Sequence, residues 1–342
     1  MRFAFTDDQL AFRDAVHDLL AKECPPEVVR AAWPRATASG AGARAAPDAV
    51  NGVWTALAEM GVLGVAVSEQ YGGLGLAELD WVLLAEATGY AALPHPFVET
   101  VGVAGPLLAR LGDPGGRLAG LVAGEVAVTA QFDDTTLVPF GQSADLLLLR
   151  RDDGLHLVAH HDVSWTLMDS VDGSRGLVRV TSEPTDAPLV GRHDAELDQA
   201  FDRGALGTAA QLLGLGRRML DLTVGYVKER HQFGVPIGSF QAIKHHLADV
   251  ALQLTFAAPA VYRAAHSLAT DAPEAGRDVS MAKAMASDAA RLAGRQALQC
   301  HGAIGYTVEY DLHLFLKRAE ALARSWGDAA WHRRRIGTVL GI

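Results

Sequence analysis

Five short apolar runs between residues 126 and 182 most constrain the fold of this 342-residue chain. Each run is six or seven residues long, and turn residues separate one run from the next. Runs of this length and spacing favour β-strands. Longer patterns with helical spacing lie on both sides, and they do not alternate with the strands. Segregated strands and helices predict an α+β fold rather than a doubly wound parallel sheet.

The part before the strands is predicted to be helical. Thr6–Gln9 has the pattern of a capping box ahead of a helix that is expected to reach about Glu23. Further helical patterns surround Trp54 and run from Ala77 to Gly89 and from Phe97 to Leu111. The stretch from Pro34 to Pro47 is mostly Ala, Gly and Arg and indicates a surface linker. We therefore expect an N-terminal helical domain over residues 1–124.

Four long amphipathic patterns follow the strands. They cover about Glu196 to Glu229, Ser239 to beyond Val261, about Asp278 to Cys300, and Tyr310 to the C-terminus. Short connections between them predict an antiparallel four-helix bundle. Pro259 is expected to kink or shorten the second helix, and the last pattern is expected to break near Gly327. The predicted domains are a shortened β domain over 125–192 and a C-terminal bundle over 193–342.

Composition argues against several classes of protein. The formal net charge is -10, which argues against nucleic acid as the main partner because phosphate neutralisation needs clustered cations. No apolar run approaches the roughly 20 residues needed to span a bilayer. The acidic pair Asp7-Asp8 stands where a secretory signal would carry its apolar block, so we expect a cytoplasmic protein without membrane insertion. Cys24 and Cys300 lack the spacing of metal ligands, and no metal site is predicted.

A connector rich in polar, aromatic and turn-forming residues joins the first two helices of the predicted bundle. Its sequence is RHQFGVPIGSFQ, from Arg230 to Gln241. Arg230 closes one helix, and Ser239 is expected to be the N-cap of the next. A cation beside the amides of a helix N-terminus suits an anion, phosphate above all. Gln232 and Gln241 add side-chain amides that bond polar groups. An ordinary helix end with an arginine is the alternative reading.

The connector closely resembles the signature RxQFGxPIxxFQxxKxxLAD of the acyl-CoA dehydrogenase family. A second stretch, QCHGAIGYT from Gln299 to Thr307, is similar to that family's QxHGGxGYT segment, with Ala303 in place of the second glycine. TDDQLAFRDAV, GVAVSEQYGGLGL and Pro94-His95-Pro96 resemble the family's opening domain. The resemblance covers nearly the whole chain and agrees with its three predicted parts.

This resemblance implies an FAD-dependent oxidation of an acyl-CoA thioester to the trans-2-enoyl-CoA. A carboxylate removes the α proton, FAD accepts the β hydrogen as hydride, and electron-transfer flavoprotein is the expected acceptor of the electrons. In the family, the two segments reach across a subunit interface to the neighbour's FAD. The residues that inherit this cofactor-binding role by resemblance are Arg230, Gln232, Phe233, Gln241, Gln299, Gly302 and Ala303.

The chain departs from the family where the chemistry takes place. VAVTAQFDDTTL stands in place of a TEPxxGSD-like stretch that supports the flavin ring, and it keeps only Thr129. The family's usual catalytic Glu falls at Trp326-Gly327-Asp328, and the alternative position falls near Asp202-Arg203-Gly204. Neither site has a Glu, so Asp328 and Asp202 are the weak candidates for the base.

Several functions fit this combination. The favoured one is the smaller, degenerate subunit of an actinobacterial heteromeric (α2β2) acyl-CoA dehydrogenase of the steroid type. A homologous larger subunit would then supply the base, and the substrate would be the CoA thioester of a steroid side chain or ring remnant. The alternatives are a self-sufficient homo-oligomeric enzyme with an Asp base, a scaffold that has lost flavin, and another flavin-dependent reaction on the same fold.

Overall fold

The computed structural model describes residues 4–33, 47–132, 135–184, 189–191 and 194–342. The predicted linker from Pro34 to Pro47 lies, apart from Pro47, outside these residues. The chain separates into two compact units. The first unit comprises Met1–Leu84 and Leu93–Gly204, and the second comprises Ala85–Ala92 and Ala205–Ile342. The division into domains 1–124, 125–192 and 193–342 stays a prediction.

Short helices form the N-terminal part of the first unit. They are α1 (Asp7–Glu23), α2 (Pro26–Ala31), α3 (Asp48–Glu59), α4 (Glu78–Tyr90, which continues into the second unit), α5 (Gly105–Arg110) and α6 (Leu118–Val122). The predicted capping box is confirmed, since Thr6 N–H donates to Gln9 Oε1 and Gln9 N–H donates to Thr6 Oγ1. The helix predicted from Phe97 begins instead with a buried π-helical stretch, Val98–Ala104, which α5 continues.

Seven strands lie among the described residues of the first unit. They are β1 (Val128–Gln131), β2 (Leu137–Val138), β3 (Leu146–Arg151), β4 (Gly154–Ala159), β5 (Ser164–Leu167), β6 (Val178–Ser182) and β7 (Leu189–Gly191). One sheet has the order β1-β3-β4-β7 and the other β2-β6-β5. The pair β1 and β3 is parallel, whereas the other pairs are antiparallel. Apolar side chains from both sheets share one core: Val138, Leu147, Leu149, Val158, Val163, Val178 and Val180. The predicted small β part is therefore confirmed.

Long helices form the second unit. They are α7 (Asp194–Glu229, which begins in the first unit), α8 (Gln241–Ala269), α9 (Ala275–His301), α10 (Leu312–Leu322) and α11 (Ala329–Leu340), with the short strands β8 (His231–Gln232) and β9 (Val235–Pro236) between α7 and α8. Helix α9 packs against α8, α10 and α11. The predicted break near Gly327 is confirmed, because Trp326 and Gly327 both have positive φ angles.

Helix α8 has 29 residues and runs through Pro259, so this proline does not end the helix, while the predicted kink stays a prediction. Proline removes one backbone hydrogen bond, here the one that would reach the carbonyl of Thr255. Both Thr255 and Pro259 lie on the exposed face of α8, where water can reach the carbonyl that lacks this donor.

Candidate functional site

A strained β-turn forms the tip of the connector between α7 and α8. Strands β8 and β9 pair His231 with Pro236 and Gln232 with Val235. The two residues between them, Phe233 and Gly234, have φ angles of 53° and 81°. Two positive φ angles define a type I′ turn, which favours Asn-Gly over a bulky first residue. Phenylalanine in the left-handed region is uncommon, and such strain is concentrated at functional sites.

Packing within the described residues does not explain why a phenylalanine occupies position 233. Its relative exposure is 92%, the highest of any phenylalanine in that part of the chain. Its ring contacts Phe240 edge-on, with centroids 6.2 Å apart. Exposed apolar area and backbone strain both cost free energy, so this ring is best suited to contact something outside the second unit.

The connector holds Arg230 by its backbone and leaves its side chain unpaired. Arg230 N–H donates to Tyr226 O at 2.9 Å, and Ile237 N–H donates to Arg230 O at 2.8 Å. The guanidinium is exposed and has no ion-pair partner among the described residues. Gln232 and Gln241 are exposed as well. This segment therefore presents one cation and two amides from a fixed backbone.

The N-terminus of α8 differs from the prediction. Ser239 is not its N-cap, because Ser239 Oγ donates to Pro236 O at 2.7 Å within the preceding 3₁₀ turn. Phe240 occupies the N-cap position and provides no side-chain hydrogen bond. The first amides of α8 thus lack a side-chain acceptor and form the positive end of a 29-residue helix. An anion near Gln241 would meet these amides.

The second predicted segment begins at the C-terminus of α9. Gln299, Gly302 and Ala303 are all exposed. Gly302 has φ 64° and ψ -142°, a conformation that essentially only glycine adopts. No atom lies within 4 Å of the place where a Cβ would be, so the backbone here is open to a close approach.

A cluster of three aromatic rings joins these two segments. The rings of Tyr226 and His301 stack with centroids 4.2 Å apart. Tyr310 contacts both, at 4.8 Å from His301 and 5.8 Å from Tyr226. Tyr226 lies four residues before Arg230, and His301 directly precedes Gly302. The cluster was not predicted, although His301 lies inside the recognised motif.

The candidate base Asp328 is the N-cap of α11. Its Oδ1 accepts a hydrogen bond from Trp331 N–H at 2.7 Å. The hydrogen bonds from the Trp331 and Ala330 amides lower the pKa of Asp328, with the charges of Arg334 and Arg291 adding to the effect. A lowered pKa makes a carboxylate a weaker base. Capping is the role that this geometry supports directly.

A buried lysine fixes the turn that carries Asp328. Lys283 of α9 is 0% exposed. Its Nζ donates to Gly327 O at 3.0 Å, to Ala323 O at 3.3 Å and to Ser287 Oγ at 3.4 Å. Burial, together with the charge of Arg291, lowers the pKa of Lys283 to about 7, although the charge of Asp328 opposes this.

His332 supports the same turn from α11. Its Nε2 lies 2.8 Å from Trp326 O and its Nδ1 lies 3.1 Å from Ser280 Oγ. Burial and the charge of Lys283 lower the pKa of His332 to about 4. The turn therefore rests on two titratable side chains that sequence reasoning did not identify.

The other candidate base, Asp202, lies in the first unit. It is buried, at 6% exposure. The adjacent Arg203 forms an ion pair with Glu78 at 2.6 Å and donates from Nε to Gly102 O at 2.9 Å. Both partners of that pair are largely shielded from solvent, so the neighbourhood of Asp202 is a buried charged network.

Thr129, the retained residue of the flavin-support stretch, is already engaged. It is 0% exposed, and its hydroxyl donates to Pro139 O. A hydroxyl with one proton cannot donate to a second acceptor at the same time. In the observed conformation this side chain therefore has no free hydrogen-bond donor for a ligand.

Comparison with known proteins identifies the class. The model of the acyl-CoA dehydrogenase N-terminal domain matches residues 6–117, and that of the acyl-CoA dehydrogenase C-terminal domain matches residues 196–341. A curated relative, acyl-CoA dehydrogenase IpdE2 of Mycobacterium tuberculosis, is 32% identical over 324 residues, which cover 93% of this chain and 92% of that protein. The chain belongs to the acyl-CoA dehydrogenase family, whose members are flavoprotein oxidoreductases acting on acyl-CoA.

Solved structures show the same fold. The ChsE4-ChsE5 complex from Mycobacterium tuberculosis contains a chain with a TM-score of 0.86 and 24% identity, covering 100% of this chain and 99% of that one. A steroid acyl-CoA dehydrogenase, Tcur3481-Tcur3483, reaches a TM-score of 0.83 with 24% identity and 98% coverage of both chains. The resemblance noted in the sequence and the predicted fold class are therefore confirmed. No helix among the described residues has the length and apolar character of a membrane span.

The candidate residues suit the pyrophosphate and adenosine parts of FAD better than its flavin ring. The free guanidinium of Arg230 and the uncapped start of α8 suit its pyrophosphate. The exposed ring of Phe233 and the amides of Gln232 and Gln241 suit its adenosine end. The hydroxyl proton of Thr129 is donated to Pro139 O and is not free for the flavin ring. The exposed groups of the second unit therefore suit the dinucleotide part of FAD, whereas the one retained ring-support side chain has no free donor.

Proposed function

We propose that this chain is one subunit of a heteromeric acyl-CoA dehydrogenase, in which it holds part of an FAD shared with a homologous larger subunit. The complex would introduce the α,β double bond into the CoA thioester of a steroid side chain or ring remnant. FAD, when bound, supplies the hydride acceptor for this oxidation. The larger subunit would supply the carboxylate base, and electron-transfer flavoprotein would reoxidise the complex.

The unpaired cation beside a strained, exposed aromatic ring carries this proposal. No contact among the described residues accounts for the exposed Arg230 and Phe233, which supports a ligand or partner beyond the second unit. In contrast, the candidate base Asp328 caps a helix, and the Thr129 hydroxyl donates to Pro139 O. These observations support a chain that would contact the dinucleotide while its partner performs the chemistry.

The relatives support the heteromeric part of the proposal. Two solved structures with this fold, the ChsE4-ChsE5 complex and Tcur3481-Tcur3483, carry paired names, and the second is a steroid acyl-CoA dehydrogenase. IpdE2, which matches along nearly its whole length, is itself named an acyl-CoA dehydrogenase. The proposed roles follow the two segments: Arg230 would bind the pyrophosphate, while Gln232, Phe233, Gln241, Gln299, Gly302 and Ala303 would line the adenosine end.

Purification of the chain alone and together with the product of the neighbouring reading frame tests this function. We expect the chain alone to lack stoichiometric flavin absorbance and the co-expressed proteins to form a yellow heterotetramer. Arg230→Ala should strip FAD from that complex, because it removes the cation from the pyrophosphate. Arg324→Ala, which removes an exposed arginine two residues after the end of α10, is the matched control and should keep FAD.

Two outcomes would overturn the proposal. Stoichiometric FAD with dehydrogenase activity in the lone chain would favour a self-sufficient enzyme, in which Asp328 or Asp202 acts as the base. Retention of FAD by the Arg230→Ala complex would remove the role assigned to the connector.

A further inference from the structure

Helix α9 leaves one face uncovered along its length. The helix packs against α8, α10 and α11, and more than half of its residues are buried by these contacts. Six residues on the remaining face are exposed or half-buried: Met281, Met285, Asp288, Leu292, Arg295 and Gln299. We call this face the α9 seam. It belongs wholly to the second unit.

The seam has the spacing of a surface that packs against another helix. Its members are alternately four and three residues apart, which is the heptad spacing along which two helices pack. Met281 and Met285 are 43% and 37% exposed, and methionine is enriched in protein interfaces. Among the helices that the structure describes, none covers these two side chains. The seam therefore suits a helix of another molecule.

The two charged members of the seam have opposite signs and lie on opposite sides of Leu292. Asp288 precedes Leu292 by four residues, and Arg295 follows it by three. Asp288 forms an ion pair with Arg333 of α11. Arg295 is exposed and has no ion-pair partner among the described residues. Its guanidinium is therefore available to a carboxylate of another molecule.

Two seams in antiparallel orientation complement each other. If two copies of the chain meet on a two-fold axis at Leu292, Asp288 of each copy lies beside Arg295 of the other, so the interface gains two ion pairs. The two Leu292 side chains then meet at the axis, and Met285 packs on the aliphatic stem of the opposite Arg295. A parallel pair would instead bring like charges together. Charge complementarity therefore favours a second, antiparallel copy of this chain as the occupant.

We propose that the α9 seam is an interface between two copies of this chain, related by a two-fold axis near Leu292. This inference goes beyond the proposed function, because it adds the contact that joins two flavin-sharing pairs of subunits into one heterotetramer. Helices that cross at an angle diverge on either side of their contact point. Gln299, about 10 Å along α9 from Leu292, therefore stays available to the dinucleotide.

Oxidative cross-linking of Leu292→Cys in the co-expressed complex tests the contact directly. A residue at a two-fold axis faces its own copy, so the two introduced thiols come within reach of one disulfide. Cys24 and Cys300 are both buried, so the wild type should give no background. We expect a disulfide-linked pair of this chain on gels run without reductant. Thr255→Cys, on the exposed face of α8, is the control and should stay unlinked.

Arg295→Glu tests the charge complementarity. The variant places a carboxylate opposite Asp288 twice in each interface, so association of the two copies should weaken about 10-fold or more. Native mass spectrometry should then show heterodimers that keep their FAD in place of the heterotetramer. Arg295→Lys keeps the positive charge and should keep the heterotetramer.

Cross-linking of the lone chain separates this inference from the proposed function, because the seam contact requires neither flavin nor the larger subunit. A linked pair formed by the lone Leu292→Cys chain would support the seam even if no heteromeric complex formed. Absence of the linked pair from the complex, or from the lone chain if no complex forms, would overturn the inference. A disulfide with the larger subunit would overturn it as well. An Arg295→Glu heterotetramer of unchanged stability would do the same and leave the role of Arg230 intact.

Discussion

Replacing Lys283 with methionine should change how the stability of the protein depends on pH. Methionine has similar length and no charge, so it fills the same buried space in α9. It gives up the donors to Gly327 O and Ala323 O, which destabilises the variant by an amount that does not vary with pH. The informative quantity is therefore the difference in free energy of unfolding between wild type and variant, followed across pH.

The sign of the effect follows from proton linkage. The pKa of Lys283 is lowered from 10.5 in the unfolded chain to about 7 in the folded one. Between these values the unfolded state binds more protons, so the free energy of unfolding of the wild type rises with pH. Each pKa unit is worth about 1.4 kcal/mol, so the full change is roughly 5 kcal/mol, of which roughly 3 kcal/mol falls between pH 7 and 9.5.

Urea denaturation followed by circular dichroism at half-unit steps from pH 6.5 to 9.5 measures this. We expect the wild type to gain roughly 3 kcal/mol on Lys283→Met across that range. Other titrating groups are common to both proteins and cancel in the difference. Lys244→Met, on the first turn of α8, measures what the loss of an exposed lysine contributes. A difference that stays constant within about 0.5 kcal/mol would show that Lys283 does not titrate as a buried group, refuting the account of the turn.

Four further predictions test other parts of the molecule. Between pH 6.5 and 4 the unfolded wild-type chain binds more protons than the folded one, because burial lowers the pKa of His332. This lowers the free energy of unfolding of the wild type by roughly 3 kcal/mol as the pH falls. His332→Gln should abolish that loss, which acid denaturation curves measure. Phe233→Asn should raise the melting temperature, because it relieves about 1 kcal/mol of backbone strain, and it should weaken FAD retention. A variant in which both properties are unchanged would contradict the assignment of Phe233 to a strained, ligand-contacting turn. Arg203→Met should destabilise by about 3–5 kcal/mol in urea titrations, since it leaves Glu78 charged and buried. Thr129→Val should leave the FAD content of the complex unchanged; a loss measured by absorbance would show that its hydroxyl contacts flavin.

Local patterns predicted the elements of this fold well. The capping box at Thr6–Gln9 and the break at Gly327 depend on residue types at fixed spacings, and both are confirmed. The N-cap at Ser239 failed because a cap also depends on the backbone angles of its neighbour, and Ser239 is held in a 3₁₀ turn. Pro259 does not end α8, and it lies on an exposed face where water can reach the carbonyl that loses its donor.

The candidate site was predictable only where a contiguous motif carries it. Arg230 and Phe233 lie in such a motif, and the structure adds the strain that motif reading does not show. Lys283 lies in an alanine-rich helix, where nothing marks it as buried except Ser280 and Ser287, which share its face at i-3 and i+4. The contact of His301 with Tyr226 joins residues 75 positions apart, which no local pattern reveals.

Backbone strain at Phe233 and helix capping at Asp328 both support the proposal that this chain contacts the cofactor while a partner supplies the base. At Phe233 the chain keeps a costly backbone conformation and an exposed ring, which selection for stability alone would replace with Asn or Gly. At Asp328 it has the residue type that caps helices best, in a geometry that lowers the pKa and so weakens a base. A self-sufficient dehydrogenase would instead need a carboxylate with a raised pKa, or a strained backbone, at the position of its base. The properties of the connector therefore favour contact with another molecule, whereas the geometry at Asp328 favours the stability of α11.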